Sequence, residues 1–132
     1  LLEDVMKIGE IAKKAEMPVK TVRYYADIDL VRPYERTDAG YRTYDAAALR
    51  QLIFIRRARA FDFSIEECRE LLGLFTDQDR TSADVKAIAQ KRLVDIEEKQ
   101  AELQRLHDEL AHLVGACRGD NRPDCPIMDY LG

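Results

Sequence analysis

The stretch MKIGEIAKKAEMPVKTVRYYADIDLVRP, residues 6–33, decides how the N-terminal part of this chain folds. Its apolar residues recur at helical spacing in two short segments: Ile8, Ile11 and Ala12, then Val19 and Val22. Glu16-Met17-Pro18 separates the segments, and proline suits the start of a helix. The pattern predicts two short helices joined by a tight turn, the outline of a helix-turn-helix.

The segment VRPYERTDAGYRTYD, residues 31–45, follows the second of these helices. Asp38-Ala39-Gly40 is a turn signal between two short runs in which the tyrosines suit strands. We therefore predict a small β-hairpin, a wing, and with it a winged helix-turn-helix. Such a fold places one helix in the DNA major groove and its wing on the flanking backbone.

Basic and aromatic side chains mark both predicted parts of this motif. The second helix, about Pro18 to Ala26, is expected to expose Lys20, Thr21, Arg23 and Tyr24. The wing carries Arg36, Tyr41, Arg42 and Tyr44, and cations and phenol hydroxyls suit phosphate oxygens. From these residues alone an alternative stays open, in which the tyrosines pack in a core and the arginines form a solvated face.

The remainder of the chain reads as helices. Asp45 is expected to cap a helix that continues to about Phe61, and Ser64 with Glu67 forms a capping box for another over about Ile65 to Phe75. A third helix, from about Thr81 to Ala116, carries one narrow apolar stripe of Leu93, Ile96, Leu103, Leu106, Leu110, Leu113 and Val114. A helix of this length extends roughly 50 Å, more than the thickness of the rest of the chain, so its apolar stripe needs a partner helix to cover it. The simplest partner is the same helix of a second copy of the chain. We predict a coiled-coil homodimer.

Net charge differs between the two halves of the chain. Residues 1–62 carry a net charge of +2 and residues 63–132 a net charge of −6, which together give the overall −4. The N-terminal half is therefore the part that could face phosphate. No apolar run is long enough to span a bilayer, and the N-terminus lacks a signal core, so we expect a cytoplasmic protein without a membrane partner.

The combination of Val22-Arg23-Tyr24-Tyr25 with Gly40-Tyr41-Arg42-Thr43-Tyr44 resembles the opening of the MerR family of transcriptional regulators. The resemblance starts at Met6 and runs through the long helix to the end of the chain. It implies that Arg23 contacts promoter DNA from the recognition helix, while Arg36, Tyr41, Arg42 and Tyr44 grip the DNA backbone. It also implies that metal binding bends and untwists the promoter so that RNA polymerase can use it. Where the family often has Glu and Gly, this chain has Ala26 and Asp29, and a left-handed residue is expected at position 29.

Cys117 and Cys125 lie in the terminal segment ACRGDNRPDCPIMDYLG, residues 116–132. A disulfide between them would rarely persist in a reducing cytosol. A structural zinc ion usually has four ligands, so two cysteines alone do not make a zinc site. His107, His112, Asp120 and Asp124 are interpreted as polar helix or turn residues, and Cys68 as a core residue. Cu(I), Ag(I) or Au(I) favours thiolate sulfur and accepts two ligands, which leaves a net charge of −1 that a helical turn beginning at Pro126 could offset.

Ser82 supports the same hypothesis by resemblance. Divalent-ion sensors of the family typically have a cysteine at this start of the dimer helix, whereas Ser82 resembles the serine of the copper-responsive branch. In the bland interpretation, Ser82 is part of a helix cap. The terminal cysteine pair and Ser82 together favour a sensor of a singly charged metal ion over a sensor of Zn, Cd, Hg or Pb.

The sequence therefore predicts a mainly α fold with a β-hairpin wing. Residues 6–75 are expected to form the winged helix-turn-helix, residues 81–116 the dimerisation helix, and residues 117–132 the metal-binding loop and a short terminal helix. The predicted function is a homodimeric regulator that activates transcription when Cu(I), or Ag(I) or Au(I), binds Cys117 and Cys125. A small metal-buffering protein is the alternative from another class. An enzyme is disfavoured because no nucleophile–base–acid constellation emerges.

Overall fold

A computed structural model describes residues 5–132, and residues 1–4 lie outside the described part of the chain. In chain order the elements are β1 (Met6–Lys7), α1 (Ile8–Ala15), α2 (Val19–Asp27), β2 (Glu35–Arg36), β3 (Arg42–Tyr44), α3 (Ala46–Ala60), α4 (Ile65–Thr76), α5 (Ser82–Ala116) and α6 (Pro126–Leu131). The predicted fold class is confirmed: the structure is mostly helical, with one small sheet.

The chain separates into two compact units, one ending at Ile88 and the other running from Ala89 to Gly132. The first unit holds the buried core, to which α1, α2, β3, α3 and α4 all contribute. Its largest fully buried side chains are Tyr44, Ile11, Leu52, Ile55, Val22, Val31 and Cys68. Cys68 is thus a core residue, as its position on the apolar side of α4 predicts.

The helix-turn-helix forms because the two apolar stripes of α1 and α2 meet in this core. Ile11, Ala12 and Ala15 of α1 are buried together with Val22 and Tyr25 of α2. The turn between the helices depends on Glu16, whose φ of 58° lies in the left-handed region. Such a residue lets the chain leave α1 abruptly while its backbone N–H still bonds to the helix, here to the carbonyl oxygens of Ala12 and Lys13.

The end of α2 confirms the expectation for position 29. Asp29 has a φ of 60°, and its backbone N–H bonds to the carbonyl oxygen of Ala26 at 3.1 Å. The backbone N–H groups of Leu30 and Val31 then donate to the carbonyl oxygen of Tyr25. The helix therefore ends tightly, although position 26 is Ala instead of Glu and position 29 is Asp instead of Gly. An aspartate can take this conformation because a short polar side chain tolerates it better than most.

The sheet contains one strand more than the predicted hairpin. β2 and β3 pair antiparallel with Glu35 opposite Thr43, and β1 adds to the other side of β3 with Met6 opposite Tyr44. The strand order is therefore β1-β3-β2, with β3 in the middle. Because β1 directly precedes α1, its pairing with β3 joins the wing to the start of the first helix.

Helices α3 and α4 begin at the predicted caps. The Asp45 side chain accepts a hydrogen bond from the backbone N–H of Ala48 at 2.9 Å. Ser64 and Glu67 form a reciprocal capping box, with hydrogen bonds of 2.8 and 3.1 Å. These caps satisfy backbone donors that a helix leaves unpaired in its first turn.

Helix α5 contains 35 residues, and a helix of that length extends about 50 Å. Most side chains of its predicted apolar stripe are exposed within the single chain, including Leu93, Leu103, Leu106, Leu110 and Val114 at 54–66%. Ile96 and Leu113 are half-buried. Within residues 5–132, none of the helices combines the length and apolar character needed to cross a bilayer.

Candidate nucleic-acid interface and candidate metal centre

Helix α2 presents the polar residues predicted for it on the side opposite the core. Lys20, Arg23 and Tyr24 are exposed, and Thr21 is half-buried. The Tyr24 ring lies 5.9 Å from the Tyr25 ring, which is buried, so the core holds Tyr25 and Tyr25 in turn supports Tyr24. The helix therefore offers one cation-bearing face to a ligand.

The wing is shaped by its turn. Gly40 has a φ of 87°, a conformation that favours glycine, and the backbone N–H of Gly40 bonds to the carbonyl oxygen of Thr37 at 2.8 Å. Arg36 Nη1 donates to the carbonyl oxygen of Gly40 at 3.1 Å, which holds this guanidinium across the hairpin. Tyr41, at the tip, is 70% exposed.

A groove is lined by residues of α2, of the wing, and of β1 with the first turn of α1. Four of its lining residues are cations and two are carboxylates: Lys7, Arg23, Arg36, Arg42, Glu10 and Asp27. Tyr41 lines it as well. Thus Arg23, Arg36, Tyr41 and Arg42 from the predicted DNA-binding set share one concave surface, whereas Lys20, Thr21 and Tyr24 are not among its lining residues.

Lys7 is a groove residue that the sequence analysis missed. It lies in β1, where it pairs with Thr43 of the wing strand, and its side chain is exposed. A two-residue strand gives no periodic signal, and its pairing partner is far along the chain. The lysine's position just before the first helix was the available signal.

Arg42 makes an ion pair across the groove. Its Nη2 donates to Asp27 Oδ1 at 2.7 Å, and this hydrogen bond raises the pKa of Arg42. Asp27 is the last residue of α2 and Arg42 is the first residue of β3. The contact therefore joins the recognition helix to the wing.

Tyr44, which the resemblance assigns to the contacts with the DNA backbone, lies in the core. Tyr44 is fully buried, and its hydroxyl oxygen forms no close hydrogen bond among the described residues. Burial raises the pKa of Tyr44, and the Arg42 guanidinium, through its charge and its contact with the hydroxyl, offsets this only in part together with the charge of Arg23. Thr43 and Tyr44 of β3 are both buried and Arg42 is partly exposed, whereas Tyr41, just before the strand, is exposed.

The terminal cysteines come together around the loop that separates α5 from α6. Cys117 directly follows α5, and its backbone N–H still bonds to the carbonyl oxygens of Leu113 and Val114. Cys125 is the N-cap of α6, with Pro126 as the first helical residue. The Cys125 and Cys117 Sγ atoms lie 3.0 Å apart, well beyond the bond length of a disulfide, and both thiols are free.

Hydrogen bonds give the two sulfur atoms different proton affinities. The pKa of Cys125 is lowered, first by its hydrogen bond with Cys117 and then by the backbone N–H groups of Met128 and Ile127. The same contact raises the pKa of Cys117. The lowered pKa of Cys125 favours its thiolate form, and the Cys125 Sγ–Cys117 Sγ contact links the protonation of the two groups. Thiolate sulfur is the form that binds a metal.

Asp120 in the loop and His107 on α5 each make a polar contact of their own. Asp120 forms an ion pair with Arg122, with hydrogen bonds of 3.1 and 3.2 Å, and also accepts from the Arg122 backbone N–H. His107 contacts Asp108 at 3.1 Å. Over residues 5–132, no group of three or more His, Cys, Asp or Glu side chains is arranged to hold a metal ion. The described residues thus offer a two-sulfur site.

Ser82 begins α5 and is exposed. Thr81, rather than Ser82, supplies the capping hydroxyl, which accepts from the backbone N–H of Asp84 at 3.2 Å. This hydrogen bond therefore does not support the alternative interpretation, in which Ser82 is part of the helix cap.

Comparison with known proteins places these features in one family. Residues 6–74 match the family described as "MerR HTH family regulatory protein", and residues 49–113 match "MerR, DNA binding". The chain is 52% identical to the HTH-type transcriptional regulator HmrR of Rhizobium leguminosarum bv. viciae, over 96% of this chain and 97% of the relative. It is 43% identical to the HTH-type transcriptional regulator CueR of Salmonella typhimurium, over 96% and 91% of the two chains.

The crystal structure of the transcription regulator PbrR691 from Ralstonia metallidurans CH34, in complex with lead(II), has a similar fold. Its TM-score against this chain is 0.84 at 34% sequence identity, and the match covers 96% of this chain and 99% of that one. The similarity extends over both the first unit and the terminal region with the cysteine pair.

Proposed function

The chain belongs to the MerR family and is a metal-responsive transcriptional regulator, and from this premise we propose that Cu(I), or the chemically similar Ag(I) or Au(I), is its effector. Cys117 and Cys125 are the proposed ligands. The observation that carries the proposal is the pair of sulfur atoms 3.0 Å apart, with no third His, Cys, Asp or Glu side chain arranged beside them to hold a metal among the described residues. Family membership sets aside the alternatives of an enzyme and of a metal-buffering protein.

Charge favours a singly charged ion at this pair. Two thiolates with a +1 ion leave one net negative charge, and the backbone N–H groups of Ile127 and Met128 already stabilise negative charge on Cys125. Soft monovalent ions accept two thiolate ligands, whereas a structural Zn(II) site takes four. The donor set therefore fits a coinage-metal ion better than a divalent one.

A divalent effector is the second candidate, and the lead(II) complex of PbrR691 is the observation in its favour. In the family's divalent sensors a cysteine typically stands at the start of the dimer helix and completes the partner's metal site. Here that position is Ser82, whose hydroxyl is a weaker ligand for soft ions than a thiolate. The serine therefore weighs against a three-thiolate site.

Homodimerisation is supported by the leucine stripe of α5. Most of its side chains are more than half exposed in the single chain, and a second helix would cover them. We propose that the metal loop of one subunit lies against Ser82 of the partner subunit. Two winged domains carried by such a dimer would bind a palindromic promoter, with the half-site spacing determined by the dimer.

Cys117 and Cys125 would hold the metal ion between their thiolates, which lie 3.0 Å apart in this structure. Cys117 follows the end of α5 and Cys125 begins α6, so a change in the sulfur separation would be passed to the ends of both helices. The metal shifts the protein only to the extent that it binds the activating conformation more tightly.

The proposed output is a change in promoter shape. In this scheme the regulator occupies DNA with and without metal, and the metal-bound form bends and untwists the spacer between the polymerase elements. Such deformation uses the mechanical properties of DNA rather than new base contacts. RNA polymerase then recognises the realigned promoter.

The test is metal competition on the reduced protein, with Cu(I) against Zn(II), followed by X-ray absorption of the copper-bound form and run-off transcription. We expect the protein to bind Cu(I) in preference to Zn(II), and the X-ray absorption spectrum to show two sulfur neighbours around copper. Cys117→Ser and Cys125→Ser should each abolish the metal response and leave DNA binding intact, whereas Cys68→Ser should keep the response. Three or four neighbours around copper, or a copper response in the double variant, would overturn the assignment.

A further inference from the structure

An acidic residue lines the groove that holds Arg23, Arg36 and Arg42, which the family resemblance implies contact DNA. Asp27 lies there among Lys7, Arg23, Arg36 and Arg42. A carboxylate on a surface that binds a polyanion should weaken binding by charge repulsion. Its presence needs a physical reason.

The ion pair with Arg42 supplies that reason. The Arg42 side chain is only 24% exposed, whereas the Asp27 side chain that holds it is 55% exposed. The contact at 2.7 Å has the length of a charge-assisted hydrogen bond. A guanidinium has five N–H donors in a rigid fork, so the bond to Asp27 Oδ1 leaves donors of Arg42 available for a phosphate.

We propose that Asp27 is a positioning residue, whose carboxylate orients the Arg42 guanidinium for contact with a DNA phosphate and thereby strengthens DNA binding. The inference rests on the proposed DNA contact of Arg42. A free arginine loses side-chain entropy when it docks on a phosphate, and a side chain already held in place loses less.

Charge repulsion and positioning predict opposite signs. If Asp27 acted only by its charge, removing that charge would tighten DNA binding. If Asp27 acts through Arg42, the same change weakens binding although the protein becomes more positive. Glu10 is the matched control, because it lines the same groove and forms its ion pair with Lys14 instead, at 3.4 Å.

The experiment measures fluorescence anisotropy with a labelled duplex that the wild-type protein has selected from a random library. Asp27→Asn and Asp27→Ala should raise Kd about three- to fivefold at moderate salt, the range of a partly exposed ion pair, with Ala the weaker binder. Glu10→Gln should not raise Kd. An Asp27→Asn protein that binds as tightly as wild type, or more tightly, would overturn the inference.

The Arg42→Ala background separates positioning from a general effect on folding. There Asp27 has no arginine to orient, so Asp27→Asn should now tighten binding because only the repulsion is removed. A loss of affinity in both backgrounds would indicate a structural role and sink the proposal. If the wild type selects no duplex at all, the proposed DNA-binding function fails instead, which keeps the two outcomes distinct.

Discussion

Arg69 Nη1 lies 3.1 Å from the carbonyl oxygen of Asp29, and its Nη2 lies 3.1 Å from that of Ile28. A side chain of α4 thereby supplies donors to the C-terminus of α2, where a helix leaves carbonyl groups unpaired. Arg56 of α3 does the same for α1, donating to the carbonyl oxygen of Ala15 at 2.7 Å. These two arginines hold the helix-turn-helix together and do not line its groove.

Arg69→Ala should destabilise the first unit by about 1–2 kcal/mol, because it removes charge-assisted hydrogen bonds from a partly exposed site. The matched control is Arg32→Ala. Arg32 contacts the same residue, but it pairs with the exposed Asp29 carboxylate, and such pairs contribute little. Urea unfolding followed by circular dichroism measures both, and equal losses would contradict the capping role of Arg69.

Tyr44→Phe should leave folding stability unchanged or raise it slightly, and should leave DNA affinity unchanged. The hydroxyl is buried without a described hydrogen-bond partner, so removing it relieves a desolvation cost. Thermal unfolding and anisotropy with the selected duplex check the two parts. A clear loss of DNA affinity with intact folding would restore Tyr44 to the DNA-binding set.

Arg42→Ala should weaken DNA binding on all sequences and reduce the slope of log K against log salt by roughly one. The reason is that a phosphate contact releases counterions without reading bases. Titrations at several salt concentrations, on selected and random duplexes, measure the slope. A loss confined to the selected duplex would instead assign Arg42 to base recognition.

Ser82→Cys should broaden the metal response towards Zn(II) or Hg(II), because it adds the third thiolate that a divalent ion needs. Ser82→Ala is the control, since it removes the hydroxyl without adding a ligand. Run-off transcription with each metal compares the variants. An unchanged metal profile for Ser82→Cys would count against the charge argument for a two-sulfur site.

Stability should be lost at alkaline pH. Burial raises the pKa of Cys68, Tyr25 and Tyr44 in the folded chain. These groups therefore contribute stability that is fully present below their unfolded values, about 8.5 for Cys and about 10 for Tyr, and is lost as pH rises through the folded values. The urea midpoint should fall above about pH 8.5. In Cys68→Ala the fall should begin near the tyrosine range, and an identical pH profile would exclude Cys68 as a cause.

Local sequence signals were enough to predict the helices and several of the residues that cap or end them. The capping box of Ser64 and Glu67, the Asp45 cap and the left-handed Asp29 depend on neighbouring residues, and each is found where it was expected. What the sequence could not show depends on contacts between distant segments. The pairing of β1 with β3, the burial of Tyr44 and the Arg42–Asp27 bond are of this kind.

The cysteine pair lies between these two cases. Its sulfur atoms are eight positions apart in the chain, and the turn-forming residues between them made their approach predictable. The donation of the Ile127 and Met128 backbone N–H groups to Cys125 follows from Pro126 starting α6. The opposite pKa shifts of the two thiols depend on the three-dimensional arrangement, which the sequence alone does not give.

The exposed leucines of α5 have a consequence for how this protein responds to dilution. In the proposed homodimer a second copy covers Leu103, Leu106 and Leu110, and mass action would then couple folding to assembly. The melting temperature should then climb with protein concentration instead of being a constant of the chain. At the low concentration of a regulator in a cell, the proposed dimer would dissociate and its subunits would lose folding stability. Binding of both subunits to one promoter would counteract that dissociation.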